Sequence, residues 1–369
     1  MIDALRRLAL GAYVPARTAR WPECSRLFVP GDSFGWSIDD DRARLTATAV
    51  RLGYDVAPAA WARFARKQSV FHHDHFGALQ PRWLDSSNRL GLSYFHGRPG
   101  TPGYPEFDRA HDVLTTNATR IDRVQVTHAE MHELVVAAGV PSHRVFRIPI
   151  GVDLERFPPG DERRRTEART RLGLPSSAFV VGSFQKDGVG LGEGLEPKLI
   201  KGPDTFVEVV EQLRDSIPEL FVLLTGRARG YVIRELARLG VPHRHFLLGS
   251  RDGLATAYHA LDVYVVPSRQ EGGPKAVLES MATGVPLVTT RVGQAAELVV
   301  DGENGLLSDV DDVDALADAV SRICQDSSLA ARLRQAGRHV AEANAEERLD
   351  SRWAALLDGF VARSRPDEG

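Results

Sequence analysis

The sequence predicts an α/β protein made of two Rossmann-like domains, each a doubly wound parallel sheet. The chain has 369 residues, more than one hydrophobic core usually organises, so we expect two domains. From about residue 179 onward, short and nearly continuous apolar runs alternate with helical stretches, as in parallel sheets buried on both faces. An irregular segment with proline and glycine, residues 148–160, divides the chain and is the predicted linker.

The second half contains the clearest strand and helix pattern. Its predicted strands are residues 178–181, 220–224, 245–248, 263–266 and 286–289. Between the first two, residues 204–214 place Phe206, Val209, Val210 and Leu213 at helical spacing. After residue 308 the pattern becomes helical, with Asp309–Asp312 as acidic caps. This alternation predicts the second doubly wound sheet.

The first half repeats the theme less regularly. The predicted elements are a strand at 27–29, a turn at 30–35, a helix at 41–52, strands at 90–95, 121–127 and 144–148, and a helix at 128–138. We therefore expect an N-terminal domain over residues 1–150 and a C-terminal domain over residues 151–345. The remainder, 346–369, is expected to form a helix that packs back on the N-terminal domain, followed by a frayed tail.

Composition excludes several classes of function. A formal net charge of −3 gives no basic field for nucleic acid. Cys24 and Cys324 are far apart and form neither a metal-binding pair nor a disulfide framework, which suits a reducing cytoplasm. No apolar run could span a bilayer, and we expect no signal peptide. The basic amphipathic stretch Leu5–Leu10 is either a peripheral contact with the inner face of the membrane or an ordinary surface helix.

The most informative motif follows the predicted strand at 263–266 and leads into a helix. Gly272 and Gly273 let the backbone approach a ligand, and Pro274 is typical of a first helical turn. Amide groups at such a helix start can meet phosphate oxygens. Glu271 and Glu279 flank this turn, and carboxylates accept hydrogen bonds from sugar hydroxyls. The combination predicts a ligand with a sugar, a diphosphate and a ribose.

This motif resembles the signature of the retaining glycosyltransferases of family 4, which have the GT-B fold with two Rossmann-like domains facing a central cleft. The resemblance includes Pro267-Ser268 before Glu271-Gly272, and Glu279-Ser280-Met281-Ala282. It also includes the interdomain segment 148–157, where Ile150 replaces the usual asparagine. The resemblance implies that Glu271 holds donor-sugar hydroxyls and Glu279 holds the ribose hydroxyls. It places Gly272, Gly273, Pro274 and Lys275 beside the sugar and diphosphate.

The resemblance also implies basic residues beside the donor diphosphate. Lys201-Gly202 matches the family's Lys-Gly pair. The usual arginine position holds Ser183, and a glycine-rich insertion, residues 188–194, precedes Lys201. We expect Lys186 to supply the lost charge, with Lys198 as the alternative. Two cations beside a leaving diphosphate would stabilise the charge that develops in the transition state.

Further residues are placed by the same resemblance. His96 matches the first-domain histidine that faces the donor sugar, and Gly31 and Gly35 match the first-domain glycine loop. Residues 248–251, which include Arg251, resemble the segment along the nucleobase. Arg227 and Arg229 follow a strand, so they either approach the nucleotide or are solvated.

The run His72-His73-Asp74-His75 invites a metal interpretation, but its spacing points consecutive side chains to opposite faces, and no second ligand cluster is visible. We therefore expect no metal and no other cofactor. The family resemblance instead places this segment at the edge of the acceptor side of the cleft, where His73 or His75 could contact an acceptor.

The predicted activity is transfer of a sugar from a nucleoside diphosphate sugar to an acceptor hydroxyl. The family resemblance implies that the configuration is retained. The implied partners are the nucleotide-sugar donor and a glycan or lipid-linked acceptor, in cell-surface polysaccharide or glycolipid synthesis. The base, the sugar, the acceptor and the oligomeric state stay open. The alternatives are a nucleotide-sugar epimerase, a sugar phosphorylase, and a non-catalytic glycosyltransferase-like subunit.

Overall fold

The structure is a computed structural model that describes residues 21–31, 37–248 and 252–363. The predicted basic stretch at 5–10 and the predicted site residues Gly35 and Arg251 lie outside these ranges. The chain divides into two compact units. Unit 1 contains the described residues up to 149 together with those from 349 onward, and unit 2 contains residues 150–348.

Unit 1 is built on a six-stranded parallel sheet with the strand order β2-β1-β3-β4-β5-β6. Its strands are β1 Leu27–Phe28, β2 Val56–Ala57, β3 Ser69–His72, β4 Arg89–Ser93, β5 Arg123–Val126 and β6 Val145–Arg147. Its α-helices are α1 Ser37–Arg51, α2 His75–Ala78, α3 Pro81–Leu84, α4 Pro105–Thr116, α5 Ala129–Ala137 and, from the end of the chain, α14 Asp350–Leu357.

Unit 2 has a second six-stranded parallel sheet, in the order β12-β11-β10-β7-β8-β9. Its strands are β7 Phe179–Ser183, β8 Leu220–Thr225, β9 His243–Phe246, β10 Val263–Val266, β11 Leu287–Thr290 and β12 Leu306–Ser308. Its α-helices are α6 Glu162–Leu172, α7 Pro203–Leu213, α8 Gly230–Arg238, α9 Asp252–His259, α10 Lys275–Thr283, α11 Ala295–Leu298, α12 Val313–Gln325 and α13 Ser327–Ala343.

Each sheet carries a hydrophobic cluster on both faces, which is why its central strands read as continuous apolar runs. In unit 1, Trp353, Leu356 and Phe360 belong to one of these clusters, so the end of the chain packs on that sheet. Helix α14 begins after the 3₁₀ turn Glu346–Leu349 and contacts α1, where Arg51 pairs with Asp350 at 2.8 Å.

The predictions differ from the structure at four strands. Strands β2 and β12 were not predicted, and they have only two and three residues. Strand β3 was not predicted either, because its sequence Ser-Val-Phe-His has polar ends although all four residues are buried. The strand predicted at 245–248 lies instead at 243–246, and Leu247 is 69% exposed. In the described sheet this strand lies at the edge and pairs with β8. Edge strands carry more polar side chains than central strands, so a search for apolar runs placed this strand two residues too late.

Within the described part of the chain, no helix combines the length and apolar character needed to cross a membrane.

Candidate functional site

The candidate site of unit 2 lies where the direction of the strand order reverses. Strand β7 pairs with β8 on one side and with β10 on the other. In open α/β sheets, ligands bind at the carboxyl ends of strands at such a point, because the loops there diverge. The loop after β7 contains Lys186, and the loop after β10 contains Glu271. The chain order of this sheet therefore brings two predicted donor-site segments to one edge.

Lys201 and Glu271 form a close ion pair at this edge. The Lys201 ammonium Nζ lies 2.7 Å from both carboxylate oxygens of Glu271. The Glu271 side chain is only 9% exposed, and the Lys201 side chain is 24% exposed. The buried Ser268 hydroxyl donates to Glu271 Oε1 at 2.9 Å. The carboxylate is therefore fixed by two donors, and its orientation is set before any ligand arrives.

Backbone contacts hold the Glu271 turn in place. The Gln294 backbone amide donates to the Gly272 carbonyl at 2.8 Å. The Gln294 side chain accepts from the Ile150 amide at 2.8 Å and donates to the Ile150 carbonyl at 2.9 Å. Gly273 packs against the same two residues, and a Cβ there would lie 2.8 Å from Ile150 Cδ1. The isoleucine side chain at position 150 has no polar atom. Gln294 supplies the polar contact instead, through its two hydrogen bonds to the Ile150 backbone.

Arg269, in the same loop, has a structural role. It bonds the Asp204 carboxylate at 2.7 and 2.8 Å and the Asp311 carboxylate at 2.6 Å. These contacts raise the pKa of the Arg269 guanidinium, with the Asp204 hydrogen bond as the largest cause. They tie the loop to the beginning of α7 and to the segment before α12, whereas Glu271 is contacted by the Lys201 ammonium.

Gly202 places Lys201 beside this loop. Its φ is +63°, in the left-handed region, and it ends the short 3₁₀ turn Leu199–Lys201. A Cβ at Gly202 would lie 1.9 Å from the Pro267 carbonyl oxygen, so the two backbones touch. Only glycine allows both this conformation and this contact.

We expect Gly202→Ala to destabilise the protein more than Gly240→Ala and to weaken donor binding. Gly240 is a matched control, because its φ is +69° and a Cβ there would meet nothing within 4 Å. The control should cost about 1–2 kcal/mol from the left-handed backbone alone. Urea unfolding and donor titration of both variants measure the difference. Equal costs with unchanged donor affinity would contradict the role of Gly202.

The structure contradicts both alternatives that the sequence left open for Arg229, approach to the nucleotide and exposure to solvent. Arg229 is not solvated, because its side chain is 0% exposed and pairs with buried Asp187 at 2.9 Å. Its guanidinium also donates to the Ser183 hydroxyl at 3.0 Å and to the carbonyls of Ser183 and Thr225 at 2.5 and 3.0 Å. Arg229 thus joins the carboxyl ends of β7 and β8. A completely buried guanidinium with these partners is not available to a diphosphate.

Lys186 precedes this buried pair. Its side chain is half-buried, and desolvation lowers the pKa of its ammonium. Lys198 is also half-buried and precedes the 3₁₀ turn that contains Lys201. Both remain candidates for the second cation of the site.

The glycine-rich insertion and the residues that flank it form hydrogen bonds with each other and with the beginning of α8. The Lys198 amide donates to the Asp187 carbonyl at 2.7 Å, and Gly188 pairs with Pro197 in an antiparallel bridge. The amides of Gly230 and Tyr231 donate to the Glu193 and Gly194 carbonyls at 2.7 and 2.9 Å. The insertion thereby satisfies the first amides of α8, which otherwise have no partner within the helix.

Glu279 lies inside α10, which begins at Lys275 with Pro274 as its N-cap. Its side chain is 7% exposed, and the Tyr258 hydroxyl donates to its Oε2 at 3.0 Å. Lys275 is half-buried in the first turn of the same helix. The structure thus places Glu271, the Gly-Gly-Pro turn, Lys275 and Glu279 along one loop and helix, as the sequence order requires.

In unit 1, His96 follows β4 and is half-buried. Its ring makes edge contacts with His75 and Phe107, with centroids 5.9 and 5.8 Å apart. The next residue, Gly97, has φ +110°, and Arg98 forms an ion pair with Glu130 at the start of α5. Gly31 follows β1 and is exposed. Both residues therefore lie after strands of the unit 1 sheet.

The run from His72 to His75 is buried, with its histidines 5%, 5% and 2% exposed. Burial lowers the pKa of His72 to about 3 and holds that of His75 well below its ordinary value. His73 Nδ1 lies 3.1 Å from the Ser93 hydroxyl, and Asp74 caps α2. His72 and His75 are therefore neutral core groups near neutral pH, and His73 is equally buried. Among the described residues, no cluster of three or more His, Cys, Asp or Glu side chains is placed to hold a metal ion.

Arg227 is exposed, two residues before buried Arg229. Sequence reasoning missed the contributions of Asp187, Arg229 and Tyr258. A separate sequence signal supports the predicted lysines. The chain has 46 lysine and arginine residues, and only five of them are lysines: Lys67, Lys186, Lys198, Lys201 and Lys275. All but Lys67 lie in the predicted donor segments, where a compact ammonium differs from the arginine used elsewhere.

Comparison with known proteins identifies the family. The family described as "Glycosyl transferases group 1" matches residues 192–326. The mannosyltransferase of Mycolicibacterium smegmatis named GDP-mannose-dependent alpha-(1-6)-phosphatidylinositol monomannoside mannosyltransferase is 35% identical over 343 residues, 84% of this chain and 86% of that protein. D-inositol 3-phosphate glycosyltransferase of Corynebacterium urealyticum is 32% identical over 228 residues, 58% of this chain. That match spans 49% of the relative, about half its length.

Solved structures show the same fold. The Anabaena protein Alr3699/HepE in complex with UDP has a TM-score of 0.71 and 16% identity, covering 91% of this chain and all of that one. Sucrose-phosphate synthase from Thermosynechococcus elongatus has a TM-score of 0.65 and 22% identity, covering 87% of this chain and 77% of that one. With its two six-stranded parallel sheets, the protein has the predicted GT-B fold. By this fold and by its extended match to the M. smegmatis mannosyltransferase, the chain belongs to the group 1 glycosyltransferases.

Proposed function

We propose that this protein is a retaining glycosyltransferase of family 4 that moves a hexosyl group from a nucleoside diphosphate sugar to an acceptor hydroxyl. The observation that supports this most directly is the fixed pair of Lys201 and Glu271 beside the turn that opens α10. The Glu271 carboxylate can accept hydrogen bonds from sugar hydroxyls, and the Lys201 ammonium can donate to phosphate oxygens. Because the two groups are 2.7 Å apart, they can bind the adjacent sugar and phosphate of one donor.

The pair can serve both parts of the donor at once. An ammonium has three N–H donors, so Lys201 can keep its bonds to Glu271 and also donate to a diphosphate oxygen. Glu271, oriented by Lys201 and Ser268, accepts from hydroxyls of the donor sugar. Lys186 or Lys198 provides the second cation, and Glu279 accepts from the ribose. Arg227 and Arg251 belong to the nucleotide end of this proposed site.

In the proposed reaction the bond between the anomeric carbon and the diphosphate breaks as the acceptor oxygen attacks from the same face. The departing phosphate takes up the acceptor proton, and the anomeric configuration is retained. The protein contributes orientation and stabilises the negative charge that accumulates on the diphosphate. The roles that the family resemblance implies for His96, Gly31 and Gly35 stay predictions. Lysine cations and helix amides do this work without a metal ion.

The names of the relatives support the donor and acceptor classes that we propose. The M. smegmatis relative is named for GDP-mannose and a phosphatidylinositol mannoside, and the Corynebacterium relatives are named for D-inositol 3-phosphate. The acceptor of this protein is accordingly proposed to be a hydroxyl of an inositol-containing or other lipid-linked glycan. Such a role belongs to glycolipid or cell-surface polysaccharide synthesis on the cytoplasmic side of the membrane.

A two-stage experiment tests the proposed function. UDP, GDP and ADP and their glucose and mannose conjugates are first screened by thermal shift, because a ligand that binds the folded state raises the melting temperature. The preferred donor is then incubated with D-inositol 3-phosphate or phosphatidylinositol monomannoside. Product mass and NMR of the new linkage should show transfer with retained configuration, and EDTA should not reduce the rate.

Three results would contradict the proposal. Conversion of the donor to another nucleotide sugar without acceptor would indicate an epimerase. A requirement for inorganic phosphate would indicate a phosphorylase. Donor binding with neither transfer nor hydrolysis would indicate a non-catalytic subunit.

A further inference from the structure

An aromatic cluster beneath the candidate site connects two of its segments. It consists of Phe184, Tyr258 and Tyr264, with ring centroids 4.9 to 5.2 Å apart. Both tyrosines are 0% exposed. Phe184 follows β7, two residues before Lys186, and Tyr258 lies on α9, which packs against α10.

The two tyrosine hydroxyls interact with each other, and each has a further partner of its own. The Tyr258 hydroxyl donates to Glu279 Oε2 at 3.0 Å, whereas the Tyr264 hydroxyl accepts from the Phe184 amide at 2.9 Å. Burial, the neighbouring Tyr264 and the Glu279 charge raise the pKa of Tyr258 well above its ordinary value. Tyr258 therefore stays protonated and remains a donor at physiological pH.

The Tyr258 contact restricts a side chain that would otherwise be flexible. A glutamate loses conformational entropy when it is held in one rotamer, and that cost normally reduces the affinity of the ligand that it binds. Here a hydroxyl on a ring packed in the core holds the carboxylate in advance. A hydrogen bond to a charged acceptor is among the stronger ones in proteins.

We propose that Tyr258 is a positioning residue for nucleoside recognition, because its hydroxyl holds the Glu279 carboxylate in the orientation that accepts the ribose hydroxyls of the donor. The inference rests on the proposed function, in which Glu279 meets the ribose. Tyr258 itself does not touch the donor, and it acts through Glu279.

The test compares ribonucleotides with deoxynucleotides. Whichever of UDP, GDP and ADP stabilises the wild-type protein most is titrated alongside its 2′-deoxy and 3′-deoxy analogues, using calorimetry. The wild-type protein is expected to prefer the ribonucleotide over at least one analogue. In Tyr258→Phe, affinity for the ribonucleotide should fall about tenfold, the scale of one hydrogen bond to a charged group. Affinity for that analogue should change little, so the preference is lost.

Two further variants separate the explanations. Glu279→Gln removes the proposed ribose contact and should also lose the preference. Tyr264→Phe removes a hydroxyl that interacts with Tyr258 but is not bonded to Glu279, and it should keep the preference because the Tyr258 bond to Glu279 remains. Melting temperatures of both tyrosine variants check that the ring still fills the core.

The outcomes distinguish the two proposals. If the wild-type protein binds the ribonucleotide and both analogues equally, Glu279 does not contact the ribose, and the inference falls with that part of the proposed function. If Glu279→Gln loses the preference but Tyr258→Phe retains it, the role of Tyr258 is wrong and the proposed function stands. A parallel loss of affinity for all three nucleotides in Tyr258→Phe would show a purely structural role and would also overturn the inference.

Discussion

Replacing Lys201 by methionine should lower kcat/KM for sugar transfer by about 10²–10³-fold, the scale of removing one preorganised charge-stabilising donor. The substitution keeps an unbranched side chain of similar length but removes the cation that lies 2.7 Å from both Glu271 oxygens. The leaving diphosphate then lacks its counter-charge, and the Glu271 carboxylate, 9% exposed, lacks its charged partner and keeps only the Ser268 hydrogen bond of the two described. Steady-state kinetics with the donor found by thermal shift measure the effect.

Lys67→Met is the matched control. Lys67 is an exposed lysine of unit 1 that pairs with Glu23, and its replacement should leave the rate unchanged. Glu271→Gln should cause a loss of similar size, and the double variant Lys201→Met/Glu271→Gln should lose less than the product of the two single effects. Groups that act as one unit are not additive. Full activity in Lys201→Met, or independent effects in the double variant, would show that the pair is not part of the reaction site.

The Arg229→Met substitution should lower the free energy of unfolding by about 3–5 kcal/mol, because it leaves the buried Asp187 without its counter-charge. The Arg229 and Asp187 side chains are 0% and 1% exposed, and they lie 2.9 Å apart. Urea unfolding at pH 7 measures the loss. Arg227→Met is the control, because Arg227 lies two residues away in the same loop and is exposed.

The same pair gives a double-variant test and a pH test. Arg229→Met/Asp187→Leu should be more stable than Arg229→Met, since an apolar pair replaces a charge without a partner. Burial already raises the pKa of Asp187 in the wild-type protein. Without Arg229 the folded state holds the Asp187 proton more tightly than the unfolded chain does. The stability of Arg229→Met should therefore fall as pH rises from 4.5 to 7. A loss below 1 kcal/mol would contradict the role of Arg229.

Local sequence was enough to predict the main strands and the Glu271–Glu279 motif. A strand buried on both faces reads as an apolar run, and β8 and β10 were found within one residue of their observed bounds. The motif could be interpreted because its residues lie on one strand, one turn and one helix, so chain order alone fixes their neighbourhood. Strand β3 was missed and β9 was misplaced, because polar side chains obscured a pattern that depends on apolar character. Strands β2 and β12 were also missed, and they are only two and three residues long.

The partners of the site residues depend on tertiary structure. Lys201 and Glu271 are 70 positions apart, and Arg229 contacts Asp187 across 42 positions. Both pairings require the loops after β7, β8 and β10 to meet, which follows from the strand order of the sheet. From the sequence, Tyr258 is recognisable only as a position on the buried face of a helix. Its hydroxyl bonds Glu279 because α9 packs against α10. Periodicity reports which face of an element is buried, whereas a hydrogen-bond partner depends on which elements become neighbours.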